Sequence, residues 1–259
     1  MNFSERILLS LSRTPDADDY TQKEGATTLD SALDLLTRVF PDFAALVSGK
    51  RLVDFGCGAG YQSIALALKY DGSVVGVEAN PKMLATAIEN ARKYGVSSQK
   101  LSLVASTSPD MRNSFDVVIS QNSFEHFANP EKVLEEMASL LTDSGIILIT
   151  FGPPWFAPYG SHMHFFCKAP WVNVFFSERT VMKARSHFRK DGIMRYQDLA
   201  QGLNKMTLAK FESIISSCGL EVAYQKYEAI KRIDWLSRVP LLREAVTNHV
   251  TVILRRSAR

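Results

Sequence analysis

From about residue 50 onward, short apolar runs rich in β-branched residues alternate with stretches whose hydrophobic positions recur at helical spacing. "RLVDF" (51–55), "SVVGVE" (73–78), "KLSLVA" (100–105), "FDVVIS" (115–120) and "IILITF" (146–151) predict strands. "YQSIALALKY", "KMLATAIENARKYG" and "EKVLEEMASLL", lying between them, predict helices. That order points to βαβ units and a parallel sheet. The punctuation agrees. Asn80–Pro81 and Asn129–Pro130 each supply an N-cap followed by a first-turn proline, and Gly95 stops the helix on which Met83, Leu84, Ile88 and Ala91 share a face.

After residue 151 the rhythm breaks. Residues 152–205 carry no regular alternation but are crowded with aromatics, as in "GPPWFAPYGSHMHFFCKAPWVNVFFSE". Order returns at Thr207, an N-cap signal, with Phe211, Ile214, Ile215 and Cys218 on one helical face and Gly219 at its end. "LEVAYQKYEAI" and "HVTVILRR" then predict two strands joined by a longer connection around Pro240. Ahead of the first strand, "TTLDSALDLLTRVF" predicts one or two helices lying against the domain. The chain thus divides into an N-terminal helical cap (1–49), an α/β core (50–151), an insertion (152–205) and a C-terminal part of the core (206–259).

Composition narrows the classes. A chain of 259 residues is long enough for one α/β domain with an elaboration. Its three cysteines, Cys57, Cys167 and Cys218, show no metal or disulfide spacing, which suits a reducing, cytoplasmic setting. No apolar run reaches the roughly 20 residues of a membrane span, so no integral membrane association is expected. A net charge of +3 is too slight to imply nucleic acid, and Arg255, Arg256 and Arg259 read as a solvated end.

The stretch that carries chemistry is "LVDFGCGAG" (52–60), a strand running into three glycines. Such a turn lets backbone N–H groups and a helix N-terminus approach a polar ligand closely. The dinucleotide fingerprint is GxGxxG, whereas Gly56, Gly58 and Gly60 are spaced GxGxG, with Asp54 two residues ahead. Glu78 ends the second strand, where a carboxylate can accept both ribose hydroxyls of an adenosine. The bland alternative is a tight turn and a solvated strand end.

"VDFGCGAG", "VVGVEANPKML", "FDVVISQNSFEHF" and "LLTDSGIILIT" together resemble the class I S-adenosylmethionine-dependent methyltransferases, and among them the methyltransferase type 11 group. The resemblance covers residues 50–151 and continues more loosely through 206–256. It implies an α/β, Rossmann-like doubly wound sheet of about seven strands, mostly parallel with an antiparallel closing strand, and an aromatic-rich lid insertion after strand 5. It implies S-adenosylmethionine as cofactor. Gly56, Cys57, Gly58 and Gly60 would form the turn around it, Asp54 would be oriented toward the amino group, and Glu78 would hold the ribose. Ala79 and Met83 would flank adenine, and Gln121 would sit near the sulfonium. Ser106 stands where the family often has an acidic residue reading the adenine amino group.

Methyl transfer from a sulfonium needs alignment and a dry pocket, and a base only where the acceptor loses a proton. Two places offer one. Glu125 and His126 follow the fourth strand, and His162 and His164 lie in the aromatic segment. His162 is the first candidate base, with Gly160 expected to let the chain bend toward the pocket, and His126 is the second. No third ligand suggests a metal site. The aromatics of 152–205 suit a lid over the methyl group or the core of an added subdomain, and both can hold at once. "GPPW" follows the fifth strand rather than the fourth, which speaks against a nucleic-acid acceptor. The expected partner is a small-molecule acceptor with an oxygen or nitrogen nucleophile: aromatic, isoprenoid, sugar or lipid-linked. A non-catalytic S-adenosylmethionine-binding protein and a nicotinamide-dependent oxidoreductase are the rival readings.

Overall fold

The strands run apolar almost without interruption because both of their faces are covered. Val53, Val118, Ile147 and Ile149 point to one side of the sheet, while Leu52, Val117, Ile119 and Leu148 point to the other. A period-2 backbone buried on both faces leaves few positions for polar residues. The computed structural model describes residues 1–13, 28–199, 202–230 and 239–257. Parts of the expected N-terminal cap (14–27), the insertion (200–201), the connection before Pro240 (231–238) and the terminal Arg259 lie outside the described residues.

Among the described residues the chain opens with α1 (Phe3–Ser10), α2 (Asp34–Val39) and α3 (Phe43–Val47). The core follows as β1 (Lys50–Phe55), α4 (Tyr61–Lys69), β2 (Gly72–Val77), α5 (Pro81–Lys93), β3 (Leu101–Val104), β4 (Phe115–Gln121), α6 (Pro130–Leu140) and β5 (Leu141–Phe151). The insertion carries α7 (Val172–Phe175) and α8 (Glu178–Phe188), and the chain closes with α9 (Leu208–Ser217), β6 (Leu220–Ala229), α10 (Pro240–Val246) and β7 (Thr247–Arg256). The seven strands form one sheet in the order β3-β2-β1-β4-β5-β7-β6. β1 to β5 pair in parallel, and β7 is inserted antiparallel to both β5 and β6, so it is the one inverted strand. The caps read from the sequence form as expected: Asn80 Oδ1 accepts from Lys82 N at 3.0 Å, Asn129 Oδ1 from Lys132 N at 3.3 Å and Thr207 Oγ1 from Lys210 N at 3.0 Å.

α6 and α9 cover one face of the sheet, bringing Leu134, Met137, Phe211 and Ile214 against it. α2, α3 and α4 cover the other, through Leu36, Phe43, Ile64 and Leu66. A third cluster is built by the insertion itself, from Met163, Phe166, Val181, Met182 and Tyr196, and it takes in Leu8 of α1. The N-terminal stretch therefore divides between two cores, α1 joining the insertion and α2 with α3 joining the sheet. α8, with the shorter α7 and α10, is an element the sequence pattern did not reveal. Its buried side chains, Thr180, Val181, Met182, Ala184 and Arg185, include an arginine and a threonine, which blur the apolar stripe.

The order β3-β2-β1-β4 places the switch in strand direction of winding between β1 and β4. At such a point the crevice beyond the carboxyl ends of the strands is where open α/β sheets bind ligands.

Candidate functional site

β1 ends at this crevice and passes into the turn 56–60, which is fastened to β2. The N–H groups of Gly56 and Cys57 both donate to Val77 O, at 2.9 and 3.0 Å. The three glycines, all with positive φ, answer different demands. A Cβ on Gly56 would lie 2.9 Å from Ser123 Oγ, and one on Gly60 would lie 2.9 Å from Ala87 Cβ, so both serve close packing. A Cβ on Gly58 would meet only Met83 Cε, at 3.9 Å, and would project into the crevice. Glu78 closes the wall. Its Oε2 accepts from Gly58 N at 2.9 Å and its Oε1 from Asn80 N at 2.8 Å.

The resulting cleft, about 220 Å³, is lined by Asp54, Gly56, Cys57, Gly58, Met83 and Gln121, all read from the sequence, and also by Ala32, Ala59, Tyr61 and Gln62, which were not. Of the other sequence candidates, Gly60 caps α4, Glu78 stands behind Gly58, and Ala79 and Ser106 are exposed and do not line the cleft. Asp54 is buried and receives hydrogen bonds from Gln62 Nε2 at 2.6 Å and Ser63 Oγ at 2.5 Å. Two polar residues opening an otherwise apolar helix, in "YQSIALALK", were the available signal for this pair. Burial drives the Asp54 carboxyl up to about 6, against the pull of Ser63 and Gln62. Burial likewise raises the Cys57 thiol far above its ordinary range, so it stays protonated and is no nucleophile.

A second group of side chains lies on the connections that leave β4 and β5 at the same edge. Residues 124–126 form a single 3-10 turn. Within it Glu125 is buried, its Oε1 accepting from Gly152 N at 3.1 Å while Oε2 has no partner. Burial raises its carboxyl, with the adjacent His126 pulling the other way. His126 Nδ1 lies 2.9 Å from Gly202 O. A carbonyl only accepts, so Nδ1 carries the hydrogen. The His162 ring stands edge-on to that of His126, with centroids 5.5 Å apart. His162 is also hydrogen-bonded to the Pro153 backbone, and its Nε2 is buried without a partner. Burial, then the charge of His126, pulls its imidazole down to about 4.

The structure corrects the reason given for His162. Gly160 does not bend the chain toward the pocket. A Cβ there would lie 2.3 Å from the carbonyl oxygens of both Pro154 and Trp155, so its role is close packing, and His162 itself takes the left-handed conformation, with φ 55°. His164 is exposed and packs edge-on against Tyr159, away from this group. Trp155, Phe165, Phe166 and Phe176 pack within the insertion's own core. The strap 202–206, which the sequence did not single out, ties the cluster down: Asn204 N donates to Glu125 O, and Asn204 Nδ2 donates to the carbonyls of Phe124 and Phe127 at 2.8 and 2.9 Å. Among the described residues no group of three or more His, Cys, Asp or Glu is placed to hold a metal ion.

Residues 46–152 match a family model described as a methyltransferase domain. The chain is 25% identical over 215 residues to an uncharacterized methyltransferase of Mycobacteroides abscessus, covering 80% of this chain and 76% of that protein. It is 31% identical to a phosphoethanolamine N-methyltransferase of Triticum aestivum over 44% of this chain and 23% of that protein. In fold it resembles a putative sarcosine dimethylglycine methyltransferase from Galdieria sulphuraria, with a TM-score of 0.58 at 16% identity over 99% of each chain. Residues 46–152 are thus a methyltransferase domain, and S-adenosylmethionine is its methyl donor.

The methyltransferase cleft fits its cofactor. Gly58 leaves open space where any side chain would intrude, and Gln121 Oε1 is buried at the cleft without a hydrogen-bond partner. Each oxygen of Glu78 spends one acceptor site on a backbone N–H and retains another.

The raised Asp54 carboxyl makes stability depend on pH. A group whose folded pKa exceeds its unfolded value binds the proton more tightly in the folded chain. Its contribution is therefore full below about pH 4 and is lost as pH rises through about 6. Asp54→Asn, which cannot titrate, is expected to gain about 2 to 3 kcal/mol relative to wild type between pH 4.5 and 7.5. Urea denaturation at the two pH values measures this, and a constant difference would show that Asp54 does not titrate in that window.

Proposed function

We propose that this methyltransferase transfers a methyl group to an oxygen or nitrogen of a small molecule. The observation that carries the reading is the pair of imidazoles at the carboxyl edge, where His162 Nε2 is buried without a partner and His126 Nδ1 is held by Gly202 O. S-adenosylmethionine, when bound, supplies an electrophilic methyl group on a sulfonium.

The rest falls to the chain. The two remaining acceptor sites of Glu78 take the ribose hydroxyls, and the backbone at Gly56, Cys57, Gly58 and Gly60 leaves room for the methionine part. Asp54, fixed by Gln62 and Ser63, faces the amino group. Ala79 and Met83 flank adenine, Ser106 lies toward its amino edge and Gln121 toward the sulfonium. Neutral His162 takes the proton that an acceptor hydroxyl or ammonium loses, and His126, held by Gly202, is the second acceptor. Residues 50–151 with 206–259 form the cofactor-binding core, 1–49 its cap and 152–205 the lid over the acceptor. The expected acceptor is aromatic, isoprenoid, sugar or lipid-linked, in a cytoplasmic setting that suits three cysteines without a disulfide. No helix among the described residues is long and apolar enough to cross a membrane.

Calorimetric titration with S-adenosylmethionine and its demethylated product, followed by labelled-methyl transfer to a panel of small acceptors, tests the reading. Retained binding with no transfer to any acceptor would favour a non-catalytic binding protein. Glu78→Ala is expected to weaken both ligands by at least about tenfold, since two hydrogen bonds to a charged acceptor are lost, at roughly 1.5 to 3 kcal/mol each. Unchanged affinity in a folded variant would remove Glu78 from the site.

A further inference from the structure

The insertion carries a positive excess. Residues 152–205 hold eight of the 30 lysines and arginines but three of the 27 aspartates and glutamates, although the whole chain is only +3. They also hold much of the exposed apolar surface, including Phe175 at 74% exposure. α1 packs beside α8 through Leu8 and through the Lys183–Glu5 ion pair at 2.9 Å. The two helices run in the same direction. Glu5 meets Lys183 midway along α8, while the residues after α1 reach the other end, where Arg13 N donates to Phe166 O and the Phe166 ring stacks on Phe188 at 5.3 Å.

On their outer sides the two helices differ. α1 and the residue after it present Phe3, Ile7 and Leu11, one helical turn apart, at 78, 37 and 49% exposure. α8 exposes Arg179 and His187, two turns apart, with Lys183 between them paired to Glu5. Arg6, Arg13, Lys168 and Lys190 are exposed as well.

We propose that this α1–α8 face is a peripheral docking surface for an anionic lipid bilayer. An apolar stripe flanked by basic side chains is what such an interface takes up: the apolar groups enter the acyl boundary and the cations meet anionic headgroups. A second copy of the chain fits less well, because a two-fold contact would bring Arg6, Arg13 and Arg179 against their own like charges. Docked this way, the insertion that carries His162 rests on the bilayer. If the methyl-transfer reading holds, the acceptor is then an amphiphile drawn from that surface.

Co-sedimentation tests the docking without cofactor or acceptor. The full chain is mixed with vesicles of phosphatidylcholine alone or with roughly a third phosphatidylglycerol. The protein is expected to pellet with the anionic vesicles, to be released at high salt and to remain in solution with the neutral ones. Phe3→Ser combined with Ile7→Ser and Leu11→Ser should weaken pelleting at least about tenfold, and so should Arg6→Glu with Arg179→Glu. Both variants should keep wild-type circular dichroism and S-adenosylmethionine affinity, since none of these residues lines the cleft. Absence of wild-type pelleting, or equal pelleting by the folded variants, overturns the proposal. So does a concentration-dependent dimer that the triple substitution breaks, which would assign the face to a second copy.

Discussion

Gly58→Val is expected to abolish S-adenosylmethionine binding in a chain that still folds. Position 58 adopts φ +55°, where an L-residue costs about 1 to 2 kcal/mol. Beyond that local strain a Cβ at this position meets no protein atom closer than Met83 Cε at 3.9 Å, so the branch point itself is accommodated. The space it fills is the cleft itself. Overpacking a ligand site by a branched side chain should lower affinity on the order of a hundredfold or more. The N–H of residue 58 still donates to Glu78, so the variant isolates the steric term. Gly56→Ala and Gly60→Ala provide the contrast, because their Cβ atoms would press on Ser123 and Ala87. They should lower the melting temperature more than Gly58→Val does. Calorimetry showing normal affinity in folded Gly58→Val would sink the placement of the cofactor against this turn.

His162→Ala is expected to lower kcat on the true acceptor by about a hundredfold or more while leaving cofactor affinity in place. The imidazole is pulled down to about 4 by its burial and by the neighbouring His126, so it is neutral and able to accept a proton throughout the ordinary working range. The sign follows: activity that depends on the neutral ring falls as pH drops through about 4, not near 6.5. The same depression makes His162 stabilise the fold fully above its unfolded pKa and lose that contribution as pH falls toward 4. His162→Gln should therefore gain stability relative to wild type on acidification. A pH–rate profile with its acid limb near 4 to 5, absent in His162→Gln, separates a proton acceptor from a packing residue. A folded His162→Ala with full turnover would return the residue to packing and direct attention to His126.

Much of the fold was legible because its determinants are local. The strands betray themselves by apolar runs buried on both faces, and the helices by the caps at Asn80, Asn129 and Thr207. The glycine turn and Glu78 lie close enough in sequence for one βαβ unit to bring them together, and Glu78 does bond Gly58 N across that unit. The single inverted strand, β7, was likewise foreseeable from its family resemblance.

What stayed hidden depends on contacts between distant segments. "LVDFGCGAG" states that a ligand meets the turn, but not that Gly56 and Gly60 answer to Ser123 and Ala87 while Gly58 alone faces the cleft. α8 escaped notice because its buried face includes Arg185, paired with Asp191, and becomes interior through the rest of the insertion and through α1, more than a hundred residues away in sequence. Ala32 reaches the cleft from outside the recognisable core. His126 and His162 were named separately, from their places after the fourth and fifth strands. Only the tertiary structure sets their rings 5.5 Å apart, leaves His162 Nε2 buried without a partner and fastens His126 through the strap at Gly202. Periodicity and capping record how a segment meets its immediate neighbours, and so the sequence by itself determined the sheet and the turn, while its family resemblance implied the cofactor class. Burial and side-chain pairing across the chain fix which ring stays neutral and which surface stays bare, and that was decided only when the segments packed.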